Sequence, residues 1–156
     1  MFESIVPRFT KLTIVAGLLL LSACSMFGGD VSEPLDDLRE QVRSTVHDSE
    51  RADAMLVSLD QLDQLLIESA KQVAEVARQE RILFTNYDST PQDFQAILTE
   101  ASRERQELQK AMLDAHLEFK ARATPEEWAL ILPVHASAIS MRIESLVIAA
   151  KAERGQ

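Results

Sequence analysis

The feature that most constrains this chain is a long stretch without glycine. The four glycines lie at positions 17, 28, 29 and 155, so none occurs between Asp30 and Arg154. Glycine provides the positive φ angles of tight hairpin turns and the close backbone approach of phosphate-binding loops. Its absence excludes most β-rich and doubly wound folds, together with the Rossmann and P-loop nucleotide motifs. The sequence therefore predicts an all-α fold.

Proline and capping residues divide this stretch into four predicted helices. Pro34, Pro91 and Pro125 each stand where an apolar periodicity of three and four residues begins, and proline favours the first turn of a helix. Asp48 or Ser49 is the expected N-cap of the second helix. The two longest helices are joined by a short turn, which makes them antiparallel neighbours. We predict a long antiparallel helical hairpin extended to a three- or four-helix bundle, with helices over 34–46, 50–87, 91–122 and 125–152.

Apolar stripes run along the three longer helices. Their heptad-like spacing, with further apolar residues beside it, indicates the buried seams of a bundle. Glu80 and Arg105 also stand on these seams, where a charge is costly unless it is paired or at a groove. We expect them to fix the register or to line a cleft. The expected seams are Ala52, Met55, Leu59, Leu62, Leu66, Ser69, Val73, Val76, Glu80 and Leu83 in the second helix; Phe94, Leu98, Ala101, Arg105, Leu108, Met112, Ala115 and Phe119 in the third; and Trp128, Leu132, Ala136, Ile139, Ile143, Leu146 and Ala150 in the fourth.

Two similar tetrads begin the third and fourth helices. In TPQD (90–93) and TPEE (124–127), threonine is the expected N-cap, proline follows at N1, and an acid at N3 completes a capping box. We therefore predict that Thr90 and Thr124 are structural N-caps. The segments TPQDFQAIL (90–98) and TPEEWALIL (124–132) are identical at four of nine positions. This similarity indicates either a short internal repeat or one way of starting a helix used twice. Pro133 lies inside the fourth helix and is expected to kink it.

The beginning of the chain has the layout of a secretory signal. Arg8 and Lys11 precede the apolar run LTIVAGLLLL (12–21), which is about half the length that a bilayer span requires. The next residues complete the tetrapeptide LSAC (21–24), which resembles the lipobox of bacterial lipoproteins. The alternative interpretation is an ordinary membrane anchor or cleaved signal with an incidental cysteine.

The lipobox resemblance implies how the chain is processed and where it is located. Cleavage would fall between Ala23 and Cys24, with diacylglycerol on the Cys24 sulfur and a fatty acyl group such as palmitate on the new amino terminus. Ser25 would direct the lipoprotein to the periplasmic face of the outer membrane. The expected organisation is a signal peptide over 1–23, a lipidated tether over 24–31 and a periplasmic helical domain over 32–156.

The two tetrads also carry a resemblance to a helical family. Together with ELQKAMLDAHLEF (107–119), they resemble periplasmic Spy/CpxP-like proteins and the related heavy-metal-resistance helical proteins, over about residues 50–148. The resemblance implies a long α-hairpin and a role in envelope stress, periplasmic chaperoning or metal resistance. The metal-sensing relatives use histidine, methionine and glutamate ligands. Met112 and His116, one turn apart, are the only candidates here, and we predict neither a bound metal nor another cofactor.

Charge and side-chain chemistry exclude several classes of function. The net charge is −9, and removing residues 1–23, which carry a net charge of +1, would make it −10. No cluster of lysine and arginine provides the phosphate contacts that nucleic-acid binding needs. His47 is expected in an exposed turn, whereas His135 is expected to be exposed or to cap a carbonyl freed by Pro133. The only cysteine is expected to be acylated, and we predict no enzymatic activity.

These observations leave two classes of function. The first is a helical binding module on an outer-membrane lipoprotein that engages a periplasmic protein of unknown identity. The alternative is a structural envelope lipoprotein that self-associates through its helices, as in a homodimer. Covalent attachment to peptidoglycan is not expected, because the chain ends in ERGQ (153–156) and not in lysine.

Overall fold

The computed structural model describes residues 33–154, and the side chains of residues 35–152. Four helices and no strand occur in this range, so the predicted all-α class is confirmed. The helix bounds agree with the predicted ones to within two residues. The proposed cleavage site at Ala23 and Cys24, the signal peptide and the whole tether lie outside the described residues. The helices are α1 (Glu33–Thr45), α2 (Ser49–Thr85), α3 (Pro91–Ala121) and α4 (Pro125–Arg154).

Helices α2 and α3 form the long hairpin. Asp48 is the N-cap of α2, and its side chain accepts a hydrogen bond from the Arg51 N–H at 3.1 Å. The 37 residues of α2 span about 55 Å. The helix ends at Thr85, two residues before the predicted end, and the Asn86 N–H donates to the carbonyls of Ile82 and Leu83. A turn over residues 86–90 then reverses the chain into α3.

The core lies at one end of this hairpin, where all four helices meet. We call this end the base; it comprises α1, α2 up to Leu62, α3 from Ala115, and α4 up to Ile139. The remaining parts of α2 and α3, residues 63–114 with their turn, are the arm. All but one of the buried apolar side chains described belong to the base. The largest of them with less than 2% exposure are Phe119, Leu38, Met55, Leu59, Ile131 and Val42.

The apolar seam of α2 continues along the arm, but its burial does not. The seam is buried from Ala52 to Leu62, whereas Leu66 and Val76 are half-buried and Val73 is exposed. On α3, Ala101 is the one buried apolar residue of the arm among the described side chains. Apart from α4, which passes beside α2 as far as a cleft that Ala150 lines with Lys71 and Arg78, the two helices of the arm cover only one side of each other. A heptad pattern alone therefore leaves the arm's apolar residues partly in water.

Ion pairs attach α1 and α4 to α2. Arg39 Nη2 lies 2.8 Å from Asp60 Oδ1, which links α1 to α2. Arg142 Nε donates to Asp63 Oδ1 at 2.6 Å, and both side chains are only 13–14% exposed. A third pair joins Arg51 to Glu127 near the start of α4. Because the paired positions rise together along both helices, α4 runs parallel to α2.

The buried face of α4 differs from the predicted one. The expected seam included Leu132, Ala136 and Ile143, but all three are exposed. The structure buries Ile131, His135 and Ala138 instead, where they meet α1 and the end of α3. Apolar residues occur on nearly every side of this helix, so their spacing could not select the face. Pro133 lies within α4, which extends to Arg154, and the kink expected at Pro133 stays a prediction.

Candidate functional site

The turn between α3 and α4 is held by a capping box. The Thr124 N–H donates to Glu127 Oε2 at 2.8 Å, and the Glu127 N–H donates to Thr124 Oγ1 at 3.2 Å. The arrangement at Thr90 is equivalent: its N–H donates to Asp93 Oδ2 at 2.8 Å, and its side chain accepts from the Asp93 N–H. Both threonines therefore bond to backbone groups at the start of a helix, a structural role.

Arg51 connects the second capping box to the start of α2. Its Nη1 and Nη2 donate to the two carboxylate oxygens of Glu127, at 2.7 and 2.9 Å, and Nη1 also donates to the Arg122 carbonyl at 2.9 Å. The two hydrogen bonds from Arg51 to the Glu127 carboxylate, and to a smaller extent the bond from the Thr124 N–H, lower the pKa of Glu127 to about 2. The sequence predicted the cap but not the arginine, because 76 residues separate Arg51 from Glu127.

Four aromatic rings, those of His116, Phe119, Trp128 and His135, pack together next to this turn. His135 lies 5.0 Å from His116, 5.3 Å from Phe119 and 5.6 Å from Trp128, measured between ring centroids. We call these four residues the ring cluster. Its edge is covered by Lys120, whose Nζ is 5.7 Å from the centroid of the Trp128 ring. The cluster therefore joins the end of α3 to the first half of α4.

The expectation for His135 was wrong. The side chain is only 6% exposed, and its Nε2 atom has no hydrogen-bond partner among the described residues. Burial, and to a smaller extent the nearby His116, lower the pKa of His135 to about 4. His135 is therefore neutral at pH 7. The apolar spacing of α4 was misleading here, because a histidine occupies a position that faces the core.

The ring cluster brings together two histidines that are 19 positions apart in the sequence. Met112 is half-buried one turn before His116, so the two weak metal candidates share one side of α3. Within residues 33–154, however, no group of three or more His, Cys, Asp and Glu side chains is arranged to hold a metal ion. His47 is exposed between α1 and α2, as predicted.

An open groove follows one side of the arm between α2 and α3. Its volume is about 680 Å³, and Gln72 bridges it by donating to Glu104 at 2.7 Å. A second cleft, of about 340 Å³, contains Glu80 and Arg105, which the sequence predicted to line a cleft or fix the register. The first groove has a partly apolar floor and a mostly acidic rim. It is lined by Glu68, Lys71, Gln72, Glu75, Val76, Gln79, Ile97, Glu100, Ala101, Arg103, Glu104, Glu107, Leu108 and Ala111.

Large apolar side chains are exposed near the tip of the arm. Phe84 is 77% exposed although its ring lies 4.9 Å from that of Phe94, and Tyr87 in the turn is fully exposed. Ile82 and Leu98 are about half-exposed. Contiguous exposed apolar surface on a soluble domain commonly marks a contact with another molecule. The arm therefore offers a surface for binding, but no convergent set of reactive groups.

A further apolar surface lies on α4. By length and composition alone, the segment Pro125–Ala152 could cross a membrane, and only 17% of its most apolar stretch is buried.

Comparison with models of known protein families, with curated proteins and with solved structures finds no match.

Proposed function

We propose that this protein is a lipoprotein anchored through Cys24 in the periplasmic leaflet of the outer membrane, and that its helical domain is a binding module. The observation that carries the binding role is the arm, where an open groove lies near exposed apolar side chains. The proposed partner is a periplasmic protein that offers apolar segments, as a stressed or partly unfolded chain does. This corresponds to a chaperone-like role in envelope stress.

The division of the domain into a base with a buried core and an arm with exposed apolar residues supports this proposal. The buried apolar cluster of the domain lies in the base. The arm can therefore present its apolar residues to a partner without removing a residue from this cluster. A groove and exposed apolar side chains of this type bind a partner by burying apolar surface. Because this interaction is not directional, it accepts partners of different sequence. A metal-resistance role has less support, since the described residues contain no group of three metal-ligating His, Cys, Asp or Glu side chains.

The binding role is tested with exposed residues of the arm. We expect the purified protein to suppress the aggregation of reduced α-lactalbumin, and the double variant Phe84→Ser and Leu98→Ser to lose most of this effect. The control is Val57→Ser, because Val57 is 67% exposed and lies on the same helix as Phe84, but in the base. Light scattering measures aggregation. If the parent protein leaves aggregation unchanged, the chaperone-like form of the proposal is wrong.

The anchor is tested by a change at the lipobox. Cys24→Ala is expected to leave the precursor uncleaved and unacylated, because no thiol remains to accept diacylglycerol. Ser25→Ala is the control and is expected to be processed like the parent. Mass spectrometry of the purified chain and partitioning into detergent provide the measurement. Normal cleavage and partitioning of Cys24→Ala would contradict the assignment of Cys24.

A further inference from the structure

The outward side of α4 is unusually poor in charge. Between Glu127 and Lys151 the helix carries only Arg142 and Glu144, and Arg142 faces α2 through its ion pair with Asp63. Glu144 is therefore the one acidic or basic residue left for the outward side over this length. Helices on the surface of a soluble domain normally present a polar and charged face to water. The large apolar residues that are at least 44% exposed on α4 stand on the two flanks of this side, Leu130, Met141 and Ile148 on one flank and Leu132, Ile143 and Val147 on the other.

The start of the domain lies beside this helix. Leu35 and Leu38 of α1 belong to the same buried cluster as Ala138 of α4, and Asp37 lines a small hollow together with Met141. The chain therefore enters the domain next to the middle of α4. Glu33 is nine positions after Cys24, and this connection reaches at most about 30 Å when fully extended.

We propose that the outward side of α4 rests on the surface of the bilayer that holds the anchor, with its exposed apolar side chains in contact with zwitterionic lipid. This inference rests on the proposed anchor at Cys24 and specifies how the anchored domain is oriented. The short connection keeps the middle of α4 near the membrane, so contact with lipid becomes an intramolecular event at a high effective concentration.

The charges specify the type of lipid. Helices that bind anionic membranes carry lysine and arginine on their polar face. Here the whole chain has a net charge of −9, and the outward side of α4 carries a carboxylate and no free arginine before Lys151. Burial of apolar side chains at a zwitterionic surface requires no such cations.

The contacts on the opposite side of α4 indicate that the helix lies on the membrane and does not cross it. Spanning would expose the buried Ile131 and His135 to lipid and would separate Arg142 from Asp63. A charge moved to the bilayer interior is strongly unfavourable. The domain can keep all these contacts if only its outward side touches the lipid.

The test uses the intact lipoprotein reconstituted in phosphatidylcholine and phosphatidylethanolamine vesicles. Since the only natural cysteine is the acylated Cys24, a single added cysteine can carry an environment-sensitive fluorophore. Ile148→Cys places the label on α4, and Val57→Cys is the matched control, the two parent residues being 61% and 67% exposed. We expect brominated lipid to quench the label at 148 several-fold more strongly than the label at 57.

Equal, weak quenching at the two positions would overturn the inference, and so would a label at 148 that is shielded from water but not quenched by brominated lipid. That second result would indicate coverage by a second copy or another segment of the chain. The mass of the same sample reports whether Cys24 is acylated. An acylated protein with an unquenched label refutes the lipid contact and leaves the anchor intact. An unacylated protein refutes the anchor and with it this inference, which rests on the anchor.

Discussion

The base and the arm share the same two long helices but differ in what surrounds them. In the base, α1 and α4 close around α2 and α3, and Phe119, Met55 and Leu59 are fully buried. In the arm the same apolar periodicity continues, and among the described side chains only Ala101 is buried. The difference shows that a heptad pattern specifies one face of a helix, whereas the number of partners decides how much of that face leaves water.

The largest difference between the two regions should appear when one large side chain is shortened in each. Phe119→Ala is expected to lower the free energy of unfolding by about 3–5 kcal/mol, because it leaves a cavity in a core that cannot fully collapse. Leu98→Ala, at a position that is 50% exposed in the arm, should cost less than about 1 kcal/mol. Urea unfolding followed by circular dichroism measures both. Equal losses would mean that the arm is packed as tightly as the base.

Mild acid, between pH 6.5 and 4.5, should loosen the base and spare the arm, which contains no histidine. The pKa of His135 is about 4 in the folded protein and 6.5 when unperturbed, so the unfolded chain binds more protons between these values. Stability is therefore complete above pH 6.5 and falls as the pH decreases towards 4, by about 3 kcal/mol at most. Hydrogen exchange resolved by region should show faster exchange in the base first.

A substitution identifies the histidine responsible. His135→Leu is expected to flatten the stability profile between pH 6.5 and 4.5, and the exposed His47→Leu should leave the profile unchanged. The pKa of Glu127 is lowered to about 2 from 4.5, so the stabilisation from its charged form is lost only below pH 4.5. Between pH 6.5 and 4.5, therefore, the effect of His135 is measured without that of Glu127. A profile that keeps its slope in His135→Leu would exclude His135 as the cause.

The ion pair at the junction of the regions should have an intermediate effect. Asp63→Ala leaves the largely buried guanidinium of Arg142 without its partner, which is expected to cost about 2 kcal/mol, less than for a fully buried pair. Arg103→Gln is the control in the arm. Its partners Glu100 and Glu107 are exposed, and we expect no measurable change in the urea midpoint. A larger loss of stability in Arg103→Gln than in Asp63→Ala would contradict the expectation that ion pairs matter less in the arm than at its junction with the base.

The smallest contrast concerns the two capping boxes. Thr124→Ala is expected to lower stability by about 1–2 kcal/mol, and Thr90→Ala by about 0.5–1 kcal/mol. The cap at Thr124 also orients Glu127 towards Arg51 and precedes Trp128 of the ring cluster, whereas the cap at Thr90 serves the arm alone. Thr124→Ser should restore the parent stability. Denaturant melts followed by the fluorescence of Trp128 report the result, and unchanged stability in Thr124→Ala would contradict this difference.

The sequence by itself determined the all-α class, the four helices and, to within two residues, their ends. These depend on local chemistry: proline and threonine start α3 and α4, Asp48 caps α2, and the absence of glycine leaves little alternative to helix. The hairpin of α2 and α3 also followed, because a short turn between two long helices leaves them antiparallel.

Only the tertiary structure decided which faces are buried and which distant side chains meet. On α4, apolar residues surround the helix, so packing against α1 selected Ile131 and Ala138 over Leu132 and Ile143. His116 reaches His135, and Arg51 reaches Glu127, because the helices fold back on each other. Helix formation depends on neighbours within four residues, but burial and pairing depend on groups tens of residues away, which local spacing does not encode.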